Sequence, residues 1–325
     1  MTGLLLVTGA TGLAGSNIVE VALKHGKRVR ALVRDASQAG PLEAIGAEVF
    51  QGDITDPASL AKAMDGVDEV IHAAAALSGP WRVLTDEDMW AVNYQGAVNV
   101  LDAAAAAHVT RTVMIDSNSI FDWSFTQKEI APIIPFSDVD SHYVRSKRAA
   151  YLVGLHRAAL GQNIVFVTPG AIYGPGIFTD RALDGTTFTR LILRGLVGEL
   201  ESFPSFPMAW VYVPDLAEVC VRALDKGVTG HRYIGMGTED DVMSIGAFCN
   251  EANEIAGVDF RVEDIDPKST AGPKLGTFAQ FGERVFAKPF VDCSVTTKVL
   301  GHAPTDHRQA LVATIDWLKA TGNLA

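Results

Sequence analysis

The sequence predicts an α/β fold: a doubly wound parallel sheet with a smaller, partly discontinuous C-terminal domain. Short apolar runs typical of buried strands alternate with helical stretches through the first half of the chain. From about residue 176 that alternation breaks, and the later elements have a different setting. We therefore expect a larger domain over 1–176, to which 210–236 returns, and a smaller domain over 177–209 and 237–325.

The first strand, turn and helix form one unit at the start of the chain. The apolar run 4–7 predicts a buried strand, and apolar positions from Leu13 recur at helical spacing. Between them, Gly9 permits a tight turn, Gly12 lets the backbone approach a pyrophosphate, and Gly15 allows close helix packing. A helix N-terminus also favours bound anions. The unit predicts a dinucleotide site, and the alternative is an ordinary strand–helix turn that binds nothing.

Further strands and helices follow in order, and Asp56 before Pro57 is a typical helix start. Ligands of such sheets bind at the carboxyl ends of the strands. From Met243 the chain mixes helices with a long loop over 267–289. The predicted strands are 28–33, 47–50, 68–72, 111–115, 163–167, 210–213 and 231–234, and the longer predicted helices are 86–108, 141–160, 181–200 and 214–225.

Composition excludes several classes of function. The net charge of -11 argues against a nucleic-acid binder, because no broad face would neutralise phosphates. The three cysteines, Cys220, Cys249 and Cys293, are widely spaced, which favours a reducing compartment without disulfides or a metal site. The apolar N-terminus lacks a basic leader, and no apolar run reaches the roughly 18 residues of a membrane span. We expect a cytoplasmic protein.

The end of the second strand indicates which dinucleotide is bound. An acidic residue there binds the free ribose 2′-hydroxyl, whereas an arginine accommodates a 2′-phosphate. Val33 stands at the position of the acid, Arg34 follows it, and Arg30 is nearby. This favours NADP(H), and Asp35 keeps NAD(H) as the alternative. Asp53, after the third strand, is placed to accept a hydrogen bond from adenine or to act as a turn residue.

A tyrosine and a lysine in the helix before the sixth strand suggest acid/base chemistry. Tyr143 and Lys147 are four residues apart and therefore share a helix face. An unperturbed tyrosine has a pKa of about 10, and a neighbouring ammonium lowers it by about 1–3 units. That is the tuning a catalytic acid/base needs. The alternative for such a pair is a solvated helix face.

With this pair, the chain resembles the extended short-chain dehydrogenases/reductases, the NAD(P)-dependent epimerase/dehydratase superfamily. Segment 29–35 is similar to the dihydroflavonol reductase and 3β-hydroxysteroid dehydrogenase branch. The resemblance implies a Rossmann cofactor domain, NADP(H), a ketone or alcohol substrate, and a homodimer formed through helices 86–108 and 141–160. The motifs that carry it lie at 8–15, 52–56, 72–75, 93–101, 143–147, 169–176 and 211–217.

The resemblance also implies a catalytic serine just after the fifth strand. When the aliphatic–aromatic pair at 120–121 is aligned with the family pattern, Ser117 supplies this hydroxyl and Ser119 is the runner-up. Asp122 departs from the pattern by replacing a glycine, and Asp116 departs by replacing a small residue. The choice between the two serines therefore stays open.

The expected mechanism is hydride transfer between the nicotinamide and a carbinol carbon. Tyr143 exchanges a proton with the substrate oxygen, Lys147 holds the nicotinamide ribose and keeps the tyrosine pKa low, and Ser117 donates a hydrogen bond to that oxygen. The resemblance also assigns the residues that line the cofactor. They are Gly9, Thr11, Gly12, Leu13, Ala14, Arg34, Asp53, Ile54, Ala73, Ala74, Ala75, Asn93, Tyr143, Lys147, Pro169, Gly170, Ala171 and Ile172.

The substrate segments are apolar, which favours a hydrophobic or aromatic ketone. The expected contacts are Ser119, Phe121, Trp123, Tyr173 and Phe178, although core packing is the alternative for each aromatic residue. A nucleotide-sugar epimerase would need arginines around a second pyrophosphate, and the chain offers Arg190, Arg194, Arg261 and Arg284. Segment 118–119 lacks the Asp-Glu pair of sugar-nucleotide dehydratases, which counts against dehydration. A non-catalytic dinucleotide-binding scaffold is a third alternative, against which the tyrosine–lysine pair argues.

Overall fold

Twelve strands in the described part of the chain form three sheets. The structure is a computed structural model that describes residues 3–77, 84–122, 132–134, 141–184, 187–266 and 291–325. In chain order the strands are β1 Leu4–Thr8, β2 Arg28–Val33, β3 Glu48–Gln51, β4 Glu69–His72, β5 Arg111–Ile115, β6 Ile164–Pro169, β7 Ala171–Tyr173, β8 Ser202–Pro204, β9 Met208–Tyr212, β10 Arg232–Gly235, β11 Val242–Met243 and β12 Glu263–Ile265.

The large sheet has seven parallel strands in the order β10-β6-β5-β4-β1-β2-β3. The chain starts at β1, runs outward to β3, and then returns to β4 on the other side of β1. Leu5 of β1 consequently pairs with both Val29 of β2 and Glu69 of β4. This order confirms the doubly wound α/β fold and places the ends of β1 and β4 side by side, where such sheets bind ligands.

Helices cover the sheet and build the C-terminal part. A π-helical segment, Ala91–Gln95, divides the helix that the sequence predicts as one element over 86–108. The helix predicted over 181–200 is also divided, because the Thr187 side chain accepts from the Arg190 N–H and starts a new helix. The helices are α1 Leu13–Lys24, α2 Gly40–Ala44, α3 Pro57–Ala63, α4 Asp86–Trp90, α5 Gly96–Ala106, α6 His142–Ala159, α7 Thr179–Ala182, α8 Phe188–Leu196, α9 Val213–Lys226, α10 Ile245–Ala256, α11 Ser294–Leu300 and α12 His307–Ala320.

Strand β9 corrects one prediction. We expected the strand at 210–213 to join the large sheet, but it pairs with β7 and β11 in a separate three-stranded sheet. Its Trp210 ring stacks on Phe248 of α10 at a centroid distance of 3.8 Å. This aromatic contact draws β9 into the core of the C-terminal part. β10, which begins six residues after the end of α9, returns to the large sheet beside β6.

The wholly apolar sequence of β1 follows from burial on both faces of the sheet. Leu5 and Val7 pack in the core beneath α1 and α9, whereas Leu4 and Leu6 pack in the core beneath α3 and α5. A strand with two covered faces has no polar alternation. In the described part of the chain, none of the helices is long and apolar enough to span a membrane.

Glycine is required at two positions of the turn between β1 and α1. Gly9 has a φ of +70°, and a Cβ there would lie 2.7 Å from the Ala74 backbone nitrogen. A Cβ at Gly15 would overlap the Gly9 carbonyl oxygen. The turn therefore closes tightly against both its own helix and the segment after β4.

We predict that Gly15→Ala lowers the free energy of unfolding by about 1–3 kcal/mol, because the added methyl group overlaps backbone atoms that cannot move independently. Gly40→Ala is the matched control, since its Cβ would meet no atom within 4 Å. That exposed substitution should change the free energy by no more than about 0.5 kcal/mol. Urea denaturation of both variants tests this, and equal stability of the two would contradict the close packing at Gly15.

Candidate active site

The turn after β1 forms a cradle of the kind that holds a pyrophosphate. Gly12 precedes the first turn of α1, and none of the described side chains caps that helix end. The first N–H groups of α1 are therefore open to an anion, and the missing Cβ atoms allow a close approach. Thr11, Leu13 and Ala14 beside Gly12 are all half-buried. These features fit a dinucleotide phosphate group.

Apolar residues expected around the cofactor pack beside this cradle. Ala14, Ala73, Ile172 and Phe178 are only partly buried and lie against the same core under α1 and α9. Gly170, also half-buried, has no room for a Cβ because the Ala209 carbonyl of β9 lies against it. The remaining residues of this set differ in exposure: Pro169 and Ala171 are buried, Ala74 is half-buried and Ala75 is exposed.

The segment after β4 is held in place by two buried polar residues. The Ala74 N–H donates to Thr8 Oγ1 at 3.4 Å, and that hydroxyl lies 2.8 Å from His72 Nδ1. Burial, with the charge of Lys147, lowers the pKa of His72 to about 3, so the imidazole is neutral. The hydrogen bonds of the Thr8 hydroxyl therefore fix this segment beside the cradle without adding a charge.

Asn93 performs a structural task at this segment. Its amide nitrogen donates to the Ala76 carbonyl at 2.9 Å and to Ser146 Oγ at 3.1 Å, and its oxygen accepts from the Ala76 N–H at 2.7 Å. The Ser146 hydroxyl in turn donates to the Tyr143 carbonyl at 3.0 Å. Asn93 thus ties the segment after β4 to the helix that carries Tyr143. Contact of Asn93 with the cofactor itself stays a prediction.

The end of β2 presents one exposed arginine, Arg34. Asp35 is occupied by the next turn, since its oxygens accept from the Ser37 N–H at 3.0 Å and from Gln38 Nε2 at 2.8 Å. These hydrogen bonds lower the pKa of Asp35. Arg30, which the sequence placed nearby, donates to Glu48 at 2.7 Å and to two backbone carbonyls. Arg34 is therefore the side chain of this group that is available to a ligand.

At the end of β3, Asp53 serves as a turn residue. Its Oδ1 accepts from the Thr55 N–H and the Thr55 hydroxyl, both at 2.8 Å. This is the turn role that the sequence left open, and a contact with adenine stays a prediction. Ile54 is buried, and its Cδ1 lies only 2.5 Å from where a Cβ at Gly96 would stand. Ile54 therefore packs the strand end against α5.

The structure brings the three expected catalytic residues together. The Ser117 hydroxyl lies close enough to the Tyr143 side chain to act on its pKa. Lys147, buried in the same helix, donates from Nζ to the Ile115 carbonyl at 2.7 Å. Ser119 Oγ lies 2.8 Å from Ser117 Oγ, so the second serine supports the first. A hydroxyl, a phenol and an ammonium from the ends of β5 and α6 thus form one centre.

The ionisation of this centre differs from the sequence expectation. We expected Lys147 to lower the pKa of Tyr143. Burial instead raises that pKa, the Ser117 side chain opposes the rise, and the charge of Asp116 adds to it. Burial also lowers the pKa of Lys147 to about 8. Tyr143 is therefore a protonated phenol at neutral pH, which suits it to donate a proton.

Two of the expected substrate residues belong to the core, and one lies beside the cradle. Phe121 and Tyr173 are only 1% and 2% exposed, and each packs edge-on against other aromatic rings. They belong to the core, which is the alternative that the sequence left open for them. Phe178 is half-buried beside the cradle. Trp123 and Arg284 lie outside the described residues.

Asp116 stands out in the sequence only as a departure from the family pattern, which indicates no role for it. Asp116 is 5% exposed, and neither of its carboxylate oxygens accepts a hydrogen bond of ordinary geometry from the described residues. Burial raises its pKa from 3.8 to about 7. The Thr168 side chain and the charges of Arg232 and Lys147 oppose that rise. Asp116 therefore titrates near neutral pH directly behind Ser117.

Known proteins are similar to this chain in both sequence and structure. The sequence profile of the NAD dependent epimerase/dehydratase family matches residues 5–235. Sterol demethylase protein B from Methylococcus capsulatus is 30% identical over 78% of this chain and 74% of its own length. A putative dihydroflavonol 4-reductase from Synechocystis is 27% identical over 99% and 96%. The solved structure of gox2253 has a TM-score of 0.81 and 26% identity, with all of both chains covered.

We predict that Asp116→Asn becomes progressively more stabilising as the pH rises. Between pH 3.8 and about 7 the folded protein keeps a proton on Asp116 that the unfolded chain releases, so the natural protein loses this contribution as the pH increases. Asparagine has no such loss. The difference in unfolding free energy between variant and natural protein should change by up to about 4 kcal/mol from pH 4 to pH 8.

Urea denaturation of both proteins at several pH values measures this difference. His72 has the opposite dependence, because its pKa is lowered on folding, and it is present in both proteins. The change between pH 4 and about pH 6 reports Asp116 most directly, because Lys147 stays protonated there. A difference that does not vary with pH would show that the Asp116 carboxyl has an ordinary pKa.

Proposed function

The chain belongs to the NAD-dependent epimerase/dehydratase family, and we propose that it is an NAD(P)-dependent oxidoreductase that interconverts a carbonyl group and an alcohol on a hydrophobic small molecule. The observation that carries this proposal is the centre formed by Ser117, Tyr143 and Lys147. The centre lies at the carboxyl end of the sheet, on which the glycine cradle also opens. Hydride chemistry requires these two parts together.

Each residue of the centre has one task in carbonyl reduction. A bound nicotinamide supplies the hydride. Tyr143, kept protonated by burial, donates a proton to the carbonyl oxygen. Ser117 donates a hydrogen bond to the same oxygen and stabilises the charge that develops there. Lys147 presents an ammonium to the ribose side and, through its bond to the Ile115 carbonyl, keeps a fixed position. Oxidation of the alcohol uses the same proton in reverse.

The preferred cofactor is NADP(H). Arg34 is exposed at the end of β2, whereas both oxygens of Asp35 already accept hydrogen bonds within the next turn. A carboxylate committed to its own turn is poorly suited to bind a ribose 2′-hydroxyl. A second guanidinium reaches the same turn, because Arg181 Nη2 donates to Gln38 Oε1 at 3.3 Å. Two arginines beside one turn favour a 2′-phosphate.

The substrate is a hydrophobic ketone or alcohol with fused or aromatic rings. The names of two relatives, sterol demethylase protein B and a putative dihydroflavonol 4-reductase, support this class of substrate. The epimerase alternative has less support, because Arg194 and Arg261 bond to backbone carbonyls of their own surroundings. A homodimer through α5 and α6 is also part of the proposal, and Leu152 of α6 is an apolar residue that is 46% exposed.

A panel of steroidal and aromatic ketones, incubated with NADPH, tests the function. Oxidation of NADPH with formation of the alcohol is the expected result. Conversion of a nucleotide sugar without net change in the cofactor would instead identify an epimerase. Binding of NADPH without turnover of any compound would leave a non-catalytic protein and contradict the proposal.

We predict that Tyr143→Phe lowers turnover by a factor of about 10²–10⁴, because it removes the proton donor. NADPH affinity, measured by fluorescence titration, should stay within a factor of about two, because the glycine cradle and Arg34 carry most of that binding in this proposal. Tyr233→Phe is the control: its hydroxyl accepts from the Val228 N–H, outside the centre. Substantial turnover by Tyr143→Phe would contradict the assignment of Tyr143 as the proton donor.

We predict that Arg34→Ala weakens NADPH binding by about 10–100-fold, because it removes a charge-assisted hydrogen bond to the 2′-phosphate. NADH binding should be unaffected. Arg28→Ala is a matched control, since Arg28 is also exposed but stands at the opposite end of β2. Calorimetric titration with both cofactors measures the effect, and an equal loss for NADH and NADPH would contradict NADP(H) preference.

A further inference from the structure

A buried charged group lies behind the proposed catalytic centre and takes no part in the mechanism described so far. Asp116 continues the line of β5, where its N–H donates to the Val167 carbonyl at 3.1 Å. Its side chain is almost fully enclosed, and its two oxygens find no well-formed hydrogen bond among the residues that the structure describes. A buried carboxylate without such bonds is costly, so its retention calls for another source of stabilisation.

That stabilisation is electrostatic. Lys147 Nζ donates to the carbonyl of Ile115, the residue directly before Asp116, at 2.7 Å, so the ammonium lies at the strand end that carries the carboxylate. Lys147 and Arg232 both favour the ionised form of Asp116, and Thr168 of the neighbouring strand adds a polar contact. Arg232 also lies over the Phe121 ring, with its guanidinium carbon 3.6 Å from the ring centre. The charged and titratable groups that face Asp116 come from three elements: Tyr143, Lys147 and Tyr151 of α6, Arg232 of β10 and Cys220 of α9.

Lys147 depends on this arrangement more than the other groups do. Burial disfavours its ammonium form, and Asp116 is the group that opposes this effect. A guanidinium keeps its proton in any protein environment, whereas a buried lysine readily loses its own. Without the carboxylate, the buried ammonium of Lys147 would lose the group that opposes the effect of burial on its pKa. The proton on Lys147 would then be the easiest charge to lose.

We propose that Asp116 is a positioning residue of the catalytic centre, the buried counter-charge that keeps Lys147 protonated at the pH at which the enzyme works. This inference rests on the proposed function, since it assigns to Asp116 the maintenance of the ammonium that the mechanism uses. Ser117 and Asp116 are adjacent in sequence, so one strand end supplies both the hydroxyl for the substrate and the anion for the lysine.

The pH profile of kcat/KM tests the proposal with the ketone substrate and NADPH. In the natural protein, activity should fall on the alkaline side as Lys147 loses its proton. Asp116→Asn should move that fall to lower pH by one unit or more, which means a loss of about fivefold or more at pH 8 and recovery toward pH 6. An alkaline limb that stays in place would overturn the proposal.

A second background separates an effect through Lys147 from general damage. Lys147→Arg places a cation that does not deprotonate at these pH values, so Asp116→Asn should cause no pH shift when added to it. A purely structural role would give the same loss in both backgrounds, and that result would overturn the proposal. Asp215→Asn is the control for loss of a buried carboxylate elsewhere, because Asp215 pairs with His302 at 3.0 Å. It should leave the limb in place.

Two further measurements keep the test decisive. If Asp116→Asn does not fold, Thr168→Val removes one polar contact to the carboxylate and should move the limb in the same direction by a smaller amount. The affinity for NADP⁺ between pH 6 and 9, followed by tryptophan fluorescence, needs no substrate. The alkaline weakening of that affinity should also move to lower pH in Asp116→Asn, and an unchanged affinity profile would overturn the proposal. If no ketone is reduced, the proposed function fails, and this binding profile still decides the role of Asp116.

Discussion

The close approach of two backbone segments, the turn after β1 and the segment after β4, is the constraint on which the cofactor side of the molecule depends. No side chain fits between Gly9 and Ala74, so the glycine is required by packing as well as by its φ. The Thr8 hydroxyl and the Asn93 amide then hold the β4 segment from either side. Because Asn93 also bonds to Ser146 of α6, the cradle and the catalytic helix share one hydrogen-bonded frame.

Charge buried between the large sheet and α6 is the second constraint. Asp116, Lys147 and Arg232 lie in a region where an unpaired ion is very unfavourable. Asp116 and Lys147 each shift the pKa of the other, and the charge of Arg232 favours the ionised form of Asp116. His72 takes part only as a neutral group, because the same burial and the nearby ammonium remove its proton. Such an arrangement adds little to stability compared with apolar packing. Its value lies in a fixed ammonium beside a phenol that stays protonated.

The sequence predicted the large sheet almost completely, since alternating strands and helices report local burial and require no knowledge of distant contacts. It also predicted Ser117, Tyr143 and Lys147 as the catalytic residues, because the four-residue spacing and the family resemblance are local signals. The structure places the three close together, and their catalytic roles stay a prediction. It failed for β9, whose partner is decided by the stacking of Trp210 on Phe248 across the C-terminal core. Phe121 could not be placed either, because its ring packs against Tyr151 and Arg232, and Arg232 is more than a hundred residues away in the sequence. Asp116 stood out in the sequence only as an unusual residue, and its role needs the charges of two other elements.

The two ends of the cofactor site differ in how strongly their charges are coupled to the rest of the protein. At the end of β2, Arg34 is exposed, and water and salt screen its charge. Changing it should affect affinity for one phosphate and little else, so the choice between NADP(H) and NAD(H) can alter without disturbing the fold. At the other end Lys147 is buried beside Asp116, and neither charge can change without shifting the pKa of the other. Cofactor preference is consequently an adjustable property of this scaffold, whereas the proton-transfer centre must change as a unit.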